Sequence, residues 1–176
     1  MDQPPPGAAG EPALPAPMQA IERINTLMGT IASWTLLAMT LIVCFEVFSR
    51  YVFNRPTIWA WDINVQLMLL LLMFGVAEVY RQDAHVRVDI LISHLSPRGR
   101  AMMDVLFAPV LLFVSFVLAW AGWEYFVDSW QLKEAASTLF APPLYPIKAT
   151  LPIGGALLLL QGLVKLWRDI QRLRAA

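Results

Sequence analysis

Six ionisable side chains, Glu78, Arg81, Asp83, His85, Arg87 and Asp89, crowd into twelve positions directly after fifteen uncharged residues, Ile63 to Ala77. Acids and bases at that density can pair with one another or ligate a cofactor, and the two chemistries demand different placements. Bis-histidine haem ligation needs histidines inside facing helices, and His85 and His94 are the only two in the chain. A second candidate is Glu46, which lies in an apolar run with Arg50 one turn later, the favourable acid-then-base order. A lone carboxylate at the centre of a bilayer costs ~2.5 kcal/mol or more. Glu46 is therefore read as one half of a pair with Arg50, and an ion-coupled transport site is the sharper alternative.

Composition decides which elements position these residues. A 176-residue chain that is 58% apolar, with seven Trp, nine Phe and 15% charged residues, lacks the polar cover that a soluble domain of its size requires. A hydrocarbon core ~30 Å thick needs about 20 helical residues to cross, and four low-charge runs meet that length. They predict an all-α integral membrane protein with four transmembrane helices, over about 24–48, 58–80, 103–127 and 144–167. Asp62 opens the second run. Lys148 and Lys165 lie near the two ends of the fourth, where long side chains snorkel to the interfaces. The four-helix domain is taken as 21–171, between a Pro/Ala-rich segment, 1–20, and a short C-terminal end, 172–176.

The thirteen basic residues divide unevenly. Arg23, Arg81, Arg87, Arg98, Arg100, Lys165, Arg168, Arg172 and Arg174 fall on the side of the termini, and Arg50, Arg55, Lys133 and Lys148 on the other. The positive-inside rule then puts both termini in the cytoplasm. The opening seventeen residues, MDQPPPGAAGEPALPAP, hold six Pro and neither a basic n-region nor an apolar h-region. They read as a disordered cytoplasmic tail and not as a secretory signal. Cys44 has no partner for a disulfide and reads as a small buried hydrophobe. A net charge of zero points away from nucleic acid.

The crowded stretch after the second span then lies on the cytoplasmic side. Asp83 can cap a short helix over about 84–95 whose Val88, Leu91, Ile92 and Leu95 form one apolar stripe, making it an interfacial amphipathic helix. His85 and Asp89, four apart, can pair on it, and Ser96-Pro97 supplies the N-cap and first turn of the third span. Both histidines fall outside the spans, which weighs against haem. Tyr51, Phe53, Trp59 and Trp61, and again Trp120, Trp123, Tyr125 and Trp130, read as interfacial belts. The span middles carry almost no ionisable groups, so they offer no solute pathway. They do carry small residues for close helix approach: Gly29 with Ser33, Gly75 with Ala77, and Gly154-Gly155 just after Pro152, which is expected to kink the last span.

The stretch EVFSRYVFNRPTIWAWDINVQLMLLLLMFGVAEVYRQDAHVRVDIL, Glu46 to Leu91, resembles the small membrane subunit of tripartite ATP-independent periplasmic (TRAP) transporters. The family pattern falls on Arg50, Tyr51, Phe53, Pro56, Trp59, Asp62, Gly75, Ala77, His85, Val86, Val88 and Asp89. The last span, PPLYPIKATLPIGGALLLLQGLVKLWRDI, is also similar, so the resemblance covers roughly Ile21 to Ile170. One departure is Trp61, which stands where the family carries a second acid beside Asp62.

The resemblance implies a transporter part in the bacterial inner membrane and not an enzyme. A periplasmic binding protein would deliver an organic acid to a large membrane subunit that moves it on a sodium gradient. The small subunit would enlarge the stationary scaffold. Catalytic, cofactor and metal residues are then expected nowhere in this chain, sodium being handled by the large subunit, and the partners are that subunit, the binding protein and membrane lipid. Glu46, Arg50, Trp59, Asp62, Gly75, His85 and Asp89 become candidates for structural or subunit contacts, and Arg55 and Trp61 for periplasmic docking. Two other readings stay open: a haem- or quinone-binding membrane anchor of a redox enzyme, and a self-sufficient small exporter coupled through Glu46.

Overall fold

The computed structural model describes residues 15–82 and 97–175. Most of the tail, and the interfacial helix expected over 84–95 with His85, Asp89 and His94, lie outside the described residues.

The described residues are helical, with no strand among them. Helix α1 spans Ala16–Tyr51, α2 Ala60–Arg81, α3 Pro97–Leu132, α4 Tyr145–Lys148 and α5 Thr150–Ala175. Four helical segments are long and apolar enough to cross a membrane: Ala16–Tyr51, Ala60–Arg81, Val105–Leu132 and Tyr145–Gln171. Helix α1 begins inside the stretch read as tail, because Pro17 sits in its first turn, where a fixed φ favours the helix and a missing N–H leaves nothing unpaired. At 36 residues, α1 and α3 are each roughly 54 Å long, well beyond a ~30 Å hydrocarbon core. Along α1, the hydroxyls of Thr26, Thr30, Ser33, Thr35 and Thr40 each donate to the carbonyl four residues back, so none is left bare in lipid.

Two prolines behave differently from each other. Pro109 lies inside α3 without ending it. Pro152 produces an interruption at its helix entry where a kink was expected: the chain breaks between Lys148 and Thr150, and Pro152 falls in the first turn of α5. Its ring cannot donate to the carbonyl of Lys148. The Thr150 hydroxyl donates at 2.6 Å to the Ile147 carbonyl beside the break, which also accepts from the Ala149 amide.

The long helices form an open row, not a closed bundle. Helix α1 packs on α2 and more lightly on α5, α2 on α5 and α5 on α3, and no packed interface joins α1 to α3 among the described residues. Helix α5 is therefore central: 44% of the most apolar part of Tyr145–Gln171 is buried, against 6% for Ala60–Arg81. Adjacent glycines let it touch both neighbours. A Cβ at Gly154 would lie 2.7 Å from the Met73 carbonyl oxygen on α2, and one at Gly155 would lie 2.6 Å from the Ala119 amide nitrogen on α3. The core is small, with Ala77, Leu157 and Leu158 backed by Met28, Val76 and Tyr80. Large apolar side chains such as Trp34, Leu41, Met68 and Phe113 point outward, as a lipid or protein-covered surface requires. Cys44, expected to be buried, is exposed on this surface.

Candidate functional site

Alternating helices put the α1 start, the α2 and α5 ends and the α3 start at one edge of the row, called here the terminal end. The connections 52–59 and 133–144 lie at the distal end. Polar side chains gather at both.

At the distal end Glu46 does pair with Arg50. Its Oε1 accepts from Arg50 Nη2 at 2.5 Å and from Nε at 3.1 Å. Its Oε2 accepts from the Thr57 amide at 3.0 Å and from the Thr57 hydroxyl, so the carboxylate also clamps the following connection onto α1. Trp59 completes the clamp by stacking on Phe45, with ring centroids 6.1 Å apart. Asp62 is buried and accepts from the Thr138 hydroxyl at 2.6 Å, which ties the start of α2 to the second distal connection. Gln66 Nε2 adds a bond to the Pro143 carbonyl at 3.3 Å.

That second connection is itself knotted. Leu144 N–H donates to the Glu134 carbonyl and Ala136 N–H to that of Pro142, each at 2.9 Å. Lys148 Nζ donates to the Glu134 carboxylate and holds its pKa below the usual carboxylate value. Arg55 and Trp61 are exposed at the same end, and Gly75 lies mid-row, its Cβ position 3.8 Å from the Ala32 methyl.

The terminal end holds residues that sequence reasoning missed. Asn25 Nδ2 donates at 2.6 Å to Gln161 Oε1, joining α1 to α5 across 136 residues of chain, with both side chains 0–1% exposed. Arg168 of α5 donates to Glu22 of α1. Glu78, the first of the crowded charged residues after the second span, is buried at 8% exposure. It packs where Gly29 leaves room, since a Cβ there would be 2.5 Å from Glu78 Cγ. Arg81 clasps Glu78 through Nε and Nη2, each at 2.7 Å, and Gln82 Nε2 donates to it at 2.6 Å. Lys165 lies 4.8 Å over the Tyr80 ring.

Glu22, Glu46, Asp62 and Glu78 are thus all committed to neighbours, and no group of three or more His, Cys, Asp or Glu that could hold a metal ion is found among the described residues. Both polar ends tie helices or connections together.

An open row of four membrane-length apolar helices with polar ties at its two ends defines a multi-span membrane protein. The chain belongs to the family "Tripartite ATP-independent periplasmic transporters, DctQ component", which matches residues 39–172. It is a small permease of this class, in the bacterial inner membrane. It is 28% identical over 88 residues to the C4-dicarboxylate TRAP transporter small permease protein DctQ of Vibrio cholerae, a match covering 50% of this chain and 38% of that one. It is 28% identical over 95 residues to the sialic acid TRAP transporter permease protein SiaT of Haemophilus influenzae, covering 54% of this chain and 15% of that one. The match therefore spans well under half the length of either relative.

Proposed function

We propose that this small permease braces a large membrane subunit during binding-protein-dependent, sodium-driven uptake of an organic acid, with its terminal end in the cytoplasm. The observation that carries the reading is the open row. Its apolar faces are uncovered on both sides, and its interior polar groups pair helices instead of lining a path. A subunit of that kind adds rigid area to a partner and moves nothing itself. The SiaT match supports the pairing, because that single chain is described as a permease and only 15% of it corresponds to this one. In this reading Glu46, Arg50, Trp59 and Asp62 keep the distal connections in shape for the partners. Substrate and sodium are handled outside this chain.

The test is reconstitution in proteoliposomes with an inward sodium gradient. The chain alone should take up no carboxylate, and the chain with a large subunit and binding protein should take it up only with sodium outside. Uptake by the chain alone, or full activity of the large subunit without it, would refute the proposal.

A further inference from the structure

We infer that the distal end of α1 is a phospholipid site in which Arg55 holds the phosphodiester while Phe45, Phe48 and Phe53 seat the upper part of an acyl chain. These residues line one open groove of about 380 Å³ together with Ser49.

The backbone builds it. Arg55 N–H donates at 2.9 Å to the Ser49 carbonyl, and the Ser49 hydroxyl donates at 2.5 Å to the Arg55 carbonyl. Asn54, at φ 52°, turns the chain sharply enough to close that ring. The loop therefore satisfies its own backbone and fixes where the Arg55 side chain begins. Arg50 is spent on Glu46, but the Arg55 side chain has no hydrogen bond or ion pair among the described residues. The three phenylalanines beside it are 55%, 63% and 69% exposed, Phe45 and Phe48 on a helix at the edge of the row and Phe53 just past its end.

Depth and charge select the occupant. From Phe45 to Tyr51 the helix rises roughly 9 Å, whereas the headgroup layer on each side of the hydrocarbon is about 5–8 Å thick. A groove of that height starts among acyl chains and ends at the phosphates. A soluble protein can reach Arg55 but not Phe45, and an anion free in solution leaves the phenylalanines bare. A phospholipid supplies both halves at the right separation. Its phosphate accepts a two-pronged bond from guanidinium, and because every lipid of that leaflet carries one, a modest affinity suffices to fill the site.

The experiment uses the full chain in phosphatidylcholine vesicles containing a trace of one of two photoreactive lipids. One is a phosphatidylglycerol and the other a diacylglycerol, each with a diazirine in the acyl chain, and adducts are mapped by peptide mass spectrometry. Labelling of 45–53 should favour phosphatidylglycerol by roughly tenfold, as one charged hydrogen-bonded contact allows. Labelling of the exposed α3 face around Phe113 should show no such preference. Arg55→Gln should erase the preference, and Phe48→Ala should lower labelling by both lipids and keep their ratio. No preference in the unaltered chain, or a preference that survives Arg55→Gln, would overturn the inference. So would loss of labelling at 45–53 when the large membrane subunit is co-reconstituted, because the groove would then belong to a protein interface.

Discussion

Gly155 offers the sharpest test of how the row is held together. Replacing it by Ala puts a methyl 2.6 Å from the amide nitrogen of Ala119 and 2.8 Å from its Cα. Unstrained heavy-atom contacts settle at about 3.5–4.0 Å, so α3 and α5 must part locally by roughly 1 Å, a gap that forfeits a quarter to a half of each affected contact. Overpacking costs about 1–3 kcal/mol, and the upper part of that range applies because the obstructing atoms are backbone and have no rotamer to change. Better helix propensity returns up to about 1 kcal/mol, which leaves a net loss of about 1–2 kcal/mol. Gly75→Ala is the matched control. Its new methyl would sit 3.8 Å from the Ala32 methyl, an ordinary contact, so that variant should be neutral or up to about 1 kcal/mol more stable. Titration of the micellar protein with dodecyl sulfate, followed by tryptophan fluorescence, measures both. Equal midpoints for Gly155→Ala and the unaltered chain, or equal losses for the two variants, would refute the close approach of α3 and α5.

Asn25→Ala should destabilise the chain by about 0.6–1.7 kcal/mol in the same titration by leaving the Gln161 amide buried and unpaired, and Asn25→Leu with Gln161→Leu should recover much of it. Thr57→Val, which removes the hydroxyl bond to Glu46 and keeps the amide one, should speed hydrogen exchange in the 52–59 connection more than Arg50→Ala, because the Thr57 hydroxyl holds that connection directly and the half-exposed Arg50 forms an i,i+4 pair of only about 0.3–0.5 kcal/mol. The Glu134 pKa is depressed by Lys148, so the stability it contributes is full above the unfolded value of 4.5 and vanishes as pH falls through the lower folded value. Glu134→Gln should flatten that acid limb of the stability curve. In a Cys44-free background, cysteines at Ser93 and Ser137 should label from the cytoplasm and the periplasm respectively, and the reverse pattern would invert the proposed orientation.

The spans were legible because length and lack of charge are the signals a bilayer imposes, and Glu46 with Arg50 was legible because i,i+4 spacing is local. Thr57 as the second partner of Glu46 was not, since it reaches back through a turn that depends on Asn54 at positive φ. Asn25 and Gln161 left no periodic mark: each is one amide in an apolar run, and only the packing of α1 near α5 brings them together. A lone glutamine in "LLLLQGL" was a clue nonetheless, because a buried amide in a membrane helix needs a partner. The burial of Glu78 depends on the space left at Gly29 in another helix. The order of the row was hidden for a different reason. In lipid, the side of a helix that meets a neighbour is no more apolar than the side that meets hydrocarbon, so amphipathic periodicity does not mark the interfaces.

Lipid also removes the hydrophobic drive for helices to associate, so a row held only by close packing would shear easily. The polar ties counter this where they act across helices. At the terminal end, Glu22–Arg168 and Asn25–Gln161 reach past α2 to join α1 directly to the central helix. At the distal end, Asp62–Thr138, Gln66–Pro143 and Glu134–Lys148 lock α2 and the second connection to the entry of α5. Among the described residues helix α1 has no such tie there, because Glu46, Arg50 and Thr57 close the turn that follows it. Its distal half thus lacks a polar tie to the central helix, and it is the half that carries the groove beside Arg55. A phospholipid seated in that groove would supply a contact from the membrane side, stiffening an edge that the described side chains do not tie to the central helix.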